Sequence, residues 1–238
     1  MLHATLLKAP PSCGAFLWGS VKVYERLIKA LLGLCMLDMA GCSRIAQIEE
    51  TVAFAERAER INDQRLRVVG DVALGIPGLP GTAFEAIPSS GSATYLGSAF
   101  LVIHSETLQT DALVLVGDST LTIDFATPQD AVTGGVDDIR LVRPDAISLD
   151  VPGQLVLDNG VIGNGAQNDL AFDVNGTVTA RGTAFGLSGR AEGKLRGTRT
   201  QPKAGESPVL AYEVVDSDVA VTAAQGGYTA TVTIIGEN

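Results

Sequence analysis

The chain has 238 residues, a formal charge of −10 at pH 7 and 27 glycines. Its length suits one domain with a sizeable core behind an N-terminal leader. The acidity excludes nucleic acid as an expected partner, because binding it needs a basic surface that displaces counterions. The three cysteines are Cys13, Cys35 and Cys42, so the chain after Cys42 has no thiol for a disulfide or a thiolate metal site.

Residues 1–41 are predicted to be a leader that ends in a secretory signal peptide. Lys22, Arg26 and Lys29 precede a short apolar run that ends in small residues, which is the order of a signal peptide. Translation from Val21 instead of Met1 would give an ordinary basic start, and the sequence leaves both start sites open. The run from position 30 to 42 is too short to span a bilayer.

The end of that run, Met39-Ala40-Gly41-Cys42, resembles the lipobox of bacterial lipoproteins. The resemblance implies cleavage before Cys42, acylation of this cysteine and attachment to the outer membrane, on its periplasmic or its cell-surface face. The alternative is a buried helix that ends in Cys42. Residues 1–41 hold four basic and two acidic residues, so the remaining 197 residues carry a formal charge of −12.

Residues 42–69 are predicted to form one N-terminal amphipathic helix. Apolar residues recur every three or four positions and leave a charged opposite face; they are Ile45, Ile48, Val52, Ala55, Ala58 and Ile61. The helix is interpreted either as a partner-binding or spacer helix or, preferably, as one that packs on or beside the following domain. Residues 70–88 are rich in glycine and proline and are predicted to be a linker.

Residues 89–238 are predicted to be an all-β domain, an antiparallel barrel of about eight strands. Glycine and β-branched residues dominate, and aromatics are few. The predicted strands are Ser92–His104, Ala112–Phe125, Ala131–Ile139, Gln154–Leu157 with Val161–Gly163, Leu170–Val174, Thr177–Arg181, Ala184–Thr198, Val209–Val215, Val219–Ala223 and Tyr228–Ile235. Hairpin turns are predicted at Gly117-Asp118, Gly134-Gly135, Asp158-Asn159-Gly160, Val174-Asn175-Gly176 and Gln225-Gly226-Gly227.

The strands alternate between apolar and polar residues, so one face of the sheet is expected to be dry. Leu121, Ile123 and Phe125 alternate with polar neighbours, and the same period of two recurs in residues 228–234. This pattern is typical of an up-and-down barrel or a sandwich. Pairing of the last strand with the first would remove both exposed edges.

Four segments in order resemble the barrel lobe of the transferrin-binding protein B family. They are Ile87–Ala99, Gly117–Phe125, Ala131–Ile139 and Gly182–Gly197. The resemblance covers roughly residues 88–197 and implies a small barrel on a lipoprotein, with a binding role. Residues 198–238 depart from the family pattern, which leaves open whether they close the barrel. Transferrin binding is not implied, because the relatives that bind it are larger and two-lobed.

Few residues are candidates for chemistry. His104 is the only histidine outside the leader, and no nucleophile-elbow motif accompanies it. His104 is interpreted as an exposed histidine at a strand end, and Tyr95, Tyr212 and Tyr228 as packing residues; haem ligation through one histidine or tyrosine is the alternative. The acidic pairs Asp137-Asp138, Asp158-Asn159 and Asp216-Ser217-Asp218 lack the spacing of a calcium loop. A late basic cluster is interpreted as a solvated hairpin rather than an anion site; it comprises Arg190, Lys194, Arg196, Arg199 and Lys203.

The sequence therefore favours a non-catalytic envelope lipoprotein, lipidated at Cys42, that binds a protein partner or an iron- or haem-type ligand. We expect no catalytic residues, no metal site and no resident cofactor. The alternatives are a lipocalin-like carrier of a small apolar molecule and a purely structural lipoprotein. A carrier predicts small inward residues around a cavity, whereas a partner-binding module predicts a packed interior with contacts on loops such as Ser105–Asp111 and Arg140–Pro152.

Overall fold

The computed structural model describes residues 41–105, 112–143, 148–163, 168–202, 206–224 and 226–238, with side chains from Thr51 onward. The chain divides into two units, Met1–Ala55 and Glu56–Asn238. All the strands of the described residues belong to the second unit.

One helix precedes the strands. The helix α1 runs from Gly41 to Val68 and is followed by a two-stranded hairpin, β1 (Gly70–Asp71) and β2 (Ile76–Pro77). The later strands are β3 (Ser92–Ser105), β4 (Leu113–Asp124), β5 (Val132–Val142), β6 (Ser148–Asp150), β7 (Gly153–Ile162), β8 (Asp169–Ala180), β9 (Thr183–Thr198), β10 (Val209–Ala223) and β11 (Tyr228–Glu237).

The strands from β3 onward form a closed antiparallel barrel. Strands that follow one another in sequence pair with each other, apart from β6 and β7. The last strand, β11, pairs with β3 in a continuous register from Tyr228↔Ser105 to Glu237↔Leu96. Strands β6 and β7 both pair with β5 and act as one strand interrupted at Pro152, so eight positions surround the barrel. The predicted eight-stranded barrel behind one helix is confirmed. Residues 198–238 supply β10 and β11 and close it.

Most of the predicted hairpin turns are wrong. Gly117-Asp118, Gly134-Gly135 and Asn175-Gly176 lie inside continuous strands, and Asp158-Asn159-Gly160 forms a bulge within β7. The physical reason is close backbone approach. At Gly134, for example, an added Cβ would collide with the carbonyl of the neighbouring strand. At the fifth site, Gly226 and Gly227 lie between β10 and β11 and both have positive φ, as a turn requires.

The interior of the barrel is filled by large apolar side chains. Inward positions alternate along each strand and form one continuous core, whose largest members are Tyr95, Tyr212, Phe172, Phe185, Ile103, Leu115, Leu121, Ile123, Leu157, Leu170, Leu195 and Ile234. The rings of Tyr95 and Tyr212 meet edge to face, with centroids 5.7 Å apart. Tyr212 lies over Gly236, where an added Cβ would collide with the ring. The absence of a side chain at Gly236 therefore makes room for the ring of Tyr212.

The C-terminal half of α1 packs on the outer face of the barrel. Arg57 contacts Asp138 of β5 and Asp118 of β4, and Gln64 Nε2 donates to the carbonyl of Leu96 in β3 at 3.1 Å. At the helix end, Val68 is buried with Ala211 of β10 and Ile235 of β11. The helix thus crosses five adjacent strands. The eleven steps from Arg57 to Val68, at about 1.5 Å each, cover nearly the same distance as four spacings between strands of about 4.8 Å each.

The buried face of α1 differs from the predicted one. Ile61 is buried as expected, but Val52 is 51% exposed, and Phe54 and Arg57 are buried instead. The predicted face was built from the spacing of apolar residues alone, so it did not include Arg57. A guanidinium that meets two carboxylates can nevertheless occupy a buried face.

Candidate binding surfaces

The barrel interior does not offer a ligand site among the described residues. The carrier alternative requires small inward residues around a cavity, whereas the inward positions carry tyrosine, phenylalanine, leucine and isoleucine. Two surface clefts lie outside the barrel, one lined by Leu66, Arg67 and Ile76 and another beside the β8–β9 turn at Gly182. Binding is therefore expected on the exterior.

The most distinctive exterior feature is an apolar hairpin, residues 70–78, directly after α1. Val72 at its tip is 100% exposed, and Leu74 and Ile76 are 43% and 37% exposed. All six residues from 72 to 77 are exposed, and none carries a charge. An uninterrupted run of exposed apolar residues is unfavourable in water and is expected only where it serves binding.

The apolar hairpin is held firmly at its base. The Asp71 carboxylate accepts a hydrogen bond from the Leu74 N–H at 3.1 Å, and its second oxygen lies 3.5 Å from an Arg65 nitrogen. The N–H of Gly75 donates to the carbonyl of Val72 at 3.2 Å. Gly70 and Gly78 lie so close to neighbouring backbone that an added Cβ would collide, at Gly70 with Gly78 and at Gly78 with Val69. The exposed side chains are therefore presented by a preorganised turn.

Arg67 lies at the rim of the cleft beside the apolar hairpin. Its guanidinium forms two hydrogen bonds to Glu237, at 2.7 and 3.2 Å. The hydrogen bond with Glu237 raises the pKa of Arg67, so the arginine stays charged. This pair joins the last turn of α1 to the last barrel strand. Sequence reasoning missed this surface because glycine and proline indicated a linker; the uncharged run between them was the available signal.

The barrel has two unlike ends. One, here called the loop end, carries the connections β3–β4, β5–β6, β8–β9 and β10–β11. The opposite end carries the C-terminal ends of β9 and β11, and the segment after the apolar hairpin runs along it. There Gly197 N–H donates to the Pro80 carbonyl, and the buried Thr82 hydroxyl donates to the Gly197 carbonyl at 2.7 Å.

The two predicted contact loops begin at strand residues near the loop end. Ser105 ends β3, and residues 106–111 lie outside the described part of the chain. In Arg140–Pro152, residues 144–147 are likewise outside it, but Leu149 in β6 is 43% exposed. Arg140 is bound to Asp150 at 3.0 Å, which fixes the β5–β6 pair.

The predicted chemical candidates are dispersed. Cys42 is the second residue of α1, and His104 is half-buried in β3 opposite Thr229. The Tyr95 hydroxyl lies 3.3 Å from the Val209 carbonyl inside the barrel, and Tyr228 stacks edge to face on Phe185. The structure does not bring these residues together.

Burial governs the acidity of the interior tyrosines. It raises the pKa of Tyr95 to about 12, because the phenolate is disfavoured away from water. It also raises the pKa of Tyr212, an effect that the neighbouring Ser119 hydroxyl partly offsets, although the two hydroxyls do not form a well-directed hydrogen bond. Both tyrosines therefore act as neutral packing groups.

Several residues of the acidic and basic clusters form ion pairs with residues outside those clusters. Asp138 is bound by Arg57 and Arg140, and Asp173 by Arg190 at 2.9 Å. Arg196 pairs with Glu213, and Arg199 with Glu206; Lys203 lies outside the described residues. Across the described ranges, no three His, Cys, Asp or Glu side chains are grouped to hold a metal ion. Nor does any described helix have the length and apolar character needed to cross a membrane.

Comparisons with known proteins give one distant likeness. No protein-family model and no curated protein matches the chain. A crystal structure of the vaccine antigen transferrin-binding protein B from Haemophilus parasuis Hp5, a tryptophan-to-alanine mutant, is similar with 11% identity and a TM-score of 0.33. The match covers 66% of this chain and 28% of that one, so this chain spans under a third of the other's length. The strand pairing of the chain itself establishes the antiparallel barrel. Membership of that family stays a prediction.

Proposed function

We propose that this chain is a non-catalytic lipoprotein of the bacterial outer membrane, anchored through Cys42, whose barrel binds a protein partner on its exterior. The observation that carries the proposal is the filled barrel interior. Because tyrosine, phenylalanine and leucine side chains occupy the volume that a carrier would leave empty, binding must use outer surfaces.

The loop end is the proposed partner surface. The connections there place exposed side chains such as Leu149 and Arg181 at one end of a rigid barrel. Loops on a rigid scaffold are the usual position for binding residues. The opposite end is occupied by the chain's own segment around Pro80 and Thr82.

The anchor supports the envelope location. The signal-like run and the lipobox-like Met39–Cys42 support acylation of Cys42, which is the second residue of α1. Acyl chains contribute about 0.8 kcal/mol per buried methylene, and several chains hold a soluble domain on a bilayer. Cys42→Ser should move the protein from the membrane to the soluble fraction in the native host; unchanged fractionation would refute the anchor.

Site-specific photo-crosslinking in the native envelope tests the partner surface. A photo-reactive residue at Leu149 or Arg181 should give a discrete adduct with a protein, whereas one at Asn175, exposed in the middle of β8, should not. Adducts from Asn175 alone, or from none of the three, contradict the proposal.

Native mass spectrometry of the protein purified from envelope extract tests the carrier alternative. A bare polypeptide mass, corrected for the lipid on Cys42, is expected. A bound small molecule would favour the carrier.

A further inference from the structure

We propose that the apolar hairpin, residues 70–78, inserts its tip into the lipid bilayer to which the chain is anchored. The inference rests on the proposed lipidation, which would bring the chain to a bilayer. The insertion itself is argued from the geometry of the hairpin. It assigns the bilayer, and not a protein, as the occupant of this surface.

The side chains at the tip suit the boundary between headgroups and hydrocarbon. Val72, Leu74 and Ile76 project from six consecutive uncharged residues. Burying them removes apolar area from water without transferring a charge. No charged side chain of the hairpin lies beyond Asp71, which Arg65 accompanies at the base.

The backbone at the tip is also prepared to leave water. Unpaired N–H groups are costly in hydrocarbon, which disfavours most loops there. In this turn the N–H of Leu74 is bound by Asp71, and that of Gly75 by the Val72 carbonyl. Two N–H groups of the tip, those of Leu74 and Gly75, therefore already have partners before the tip leaves water.

The charged groups beneath the tip match the headgroup layer. Arg65 and Arg67 occupy the last turn of α1, one against Asp71 and the other against Glu237. Paired charges of both signs fit a zwitterionic surface, whereas a net charge of −12 for residues 42–238 disfavours an anionic one.

The chain leading to α1 points to the same occupant. The lipobox-like motif Met39–Cys42 overlaps the start of α1, of which Cys42 is the second residue. Only 30 positions separate Cys42 from Val72. Acylation of Cys42 would therefore keep the tip within reach of the bilayer, which raises the effective concentration of lipid.

A tryptophan reporter tests the insertion. The full chain carries Cys42→Ser, which cannot be acylated, and Trp18→Phe, which removes the only native tryptophan. Val72→Trp should show a blue-shifted emission on addition of phosphatidylcholine vesicles, and quenching by brominated lipid. Val156→Trp, on the exposed face of β7, is the matched control and should show neither. No shift at Val72, or equal shifts at both positions, overturns the inference.

A charge substitution gives an independent readout. Leu74→Asp should lower partitioning onto the same vesicles about tenfold or more, because tenfold corresponds to about 1.4 kcal/mol and burial of a leucine contributes at least that. Val156→Asp should leave partitioning unchanged. Equal partitioning of both variants overturns the inference. Since every protein in these assays lacks the acylation site, a negative result here is separate from the Cys42→Ser fractionation that tests the anchor.

Discussion

Removing the Arg57 guanidinium should loosen the helix from the barrel. Its Nη1 lies 2.8 Å from Asp138 Oδ2, a second nitrogen lies 2.9 Å from Asp118 Oδ1, and it also donates to the Asp138 carbonyl at 3.1 Å. The Arg57 side chain is 10% exposed, but the two carboxylates are 50% and 56% exposed. They regain water once the arginine is lost, which limits the penalty.

The expected cost of Arg57→Met is therefore about 2 kcal/mol in the free energy of unfolding, below the 3–5 kcal/mol typical of a fully buried pair. With a urea m-value of about 2 kcal/mol/M, the unfolding midpoint should fall by about 1 M. Arg60→Met, on the exposed side of the same helix, is the control and should change the midpoint little.

A double-mutant cycle localises the effect. Asp138→Asn should cost less than Arg57→Met, and the double variant should be less destabilised than the sum of the two, because both remove the same interaction. If Arg57→Met stays within about 0.5 kcal/mol of the parent, the ion pair does not fasten the helix.

Three further predictions concern the interior, each read from urea unfolding. Gly97→Ala should destabilise by about 1–3 kcal/mol or more, because its Cβ would collide with the Ile235 carbonyl, whereas Gly186→Ala, with no neighbour closer than 3.5 Å, should change little. Tyr212→Phe should change the midpoint little, since its hydroxyl faces the Ser119 hydroxyl without a well-directed hydrogen bond, and a clear loss would refute this. The raised pKa of Tyr95, about 12, means that its stabilising contribution is complete below about pH 10 and is lost as pH rises toward 12. Tyr95→Phe should therefore show a smaller fall in midpoint between pH 8 and 11; an equal fall contradicts the assignment.

The sequence predicted the architecture well because strand alternation reports burial directly. The dry face at Leu121, Ile123 and Phe125 is the interior face, as the period of two indicates. The number of strands was also recoverable, although several predicted strands proved to be halves of longer ones, such as the two runs within β8.

Turn positions were less recoverable because glycine has two uses in this barrel. At Gly226 it permits a positive φ in a turn, whereas at Gly176 it permits close approach of a neighbouring strand. Local sequence cannot distinguish these uses, since the second depends on a residue far away in the chain. The real turn between β8 and β9 contains Arg181 at φ 50, a residue type that gives little turn signal.

The binding surfaces were the least recoverable part. Val72 and Ile76 are apolar in sequence, and only the fold shows that they remain in water. Likewise, the buried role of Arg57 depends on carboxylates more than 60 residues later in the chain.

The pairing of the first barrel strand with the last also bears on the order of folding. Ser105 and Tyr228 meet only after more than 100 intervening residues have been arranged, and loop-closure entropy opposes contacts between such distant segments. Hairpins between neighbouring strands have no such handicap, so we expect the β3–β11 seam to form late. Substitutions at the seam should then mainly accelerate unfolding and leave the folding rate almost unchanged. A chain that emerged from its N-terminus onward would keep this edge of β3 unpaired until β11 had emerged.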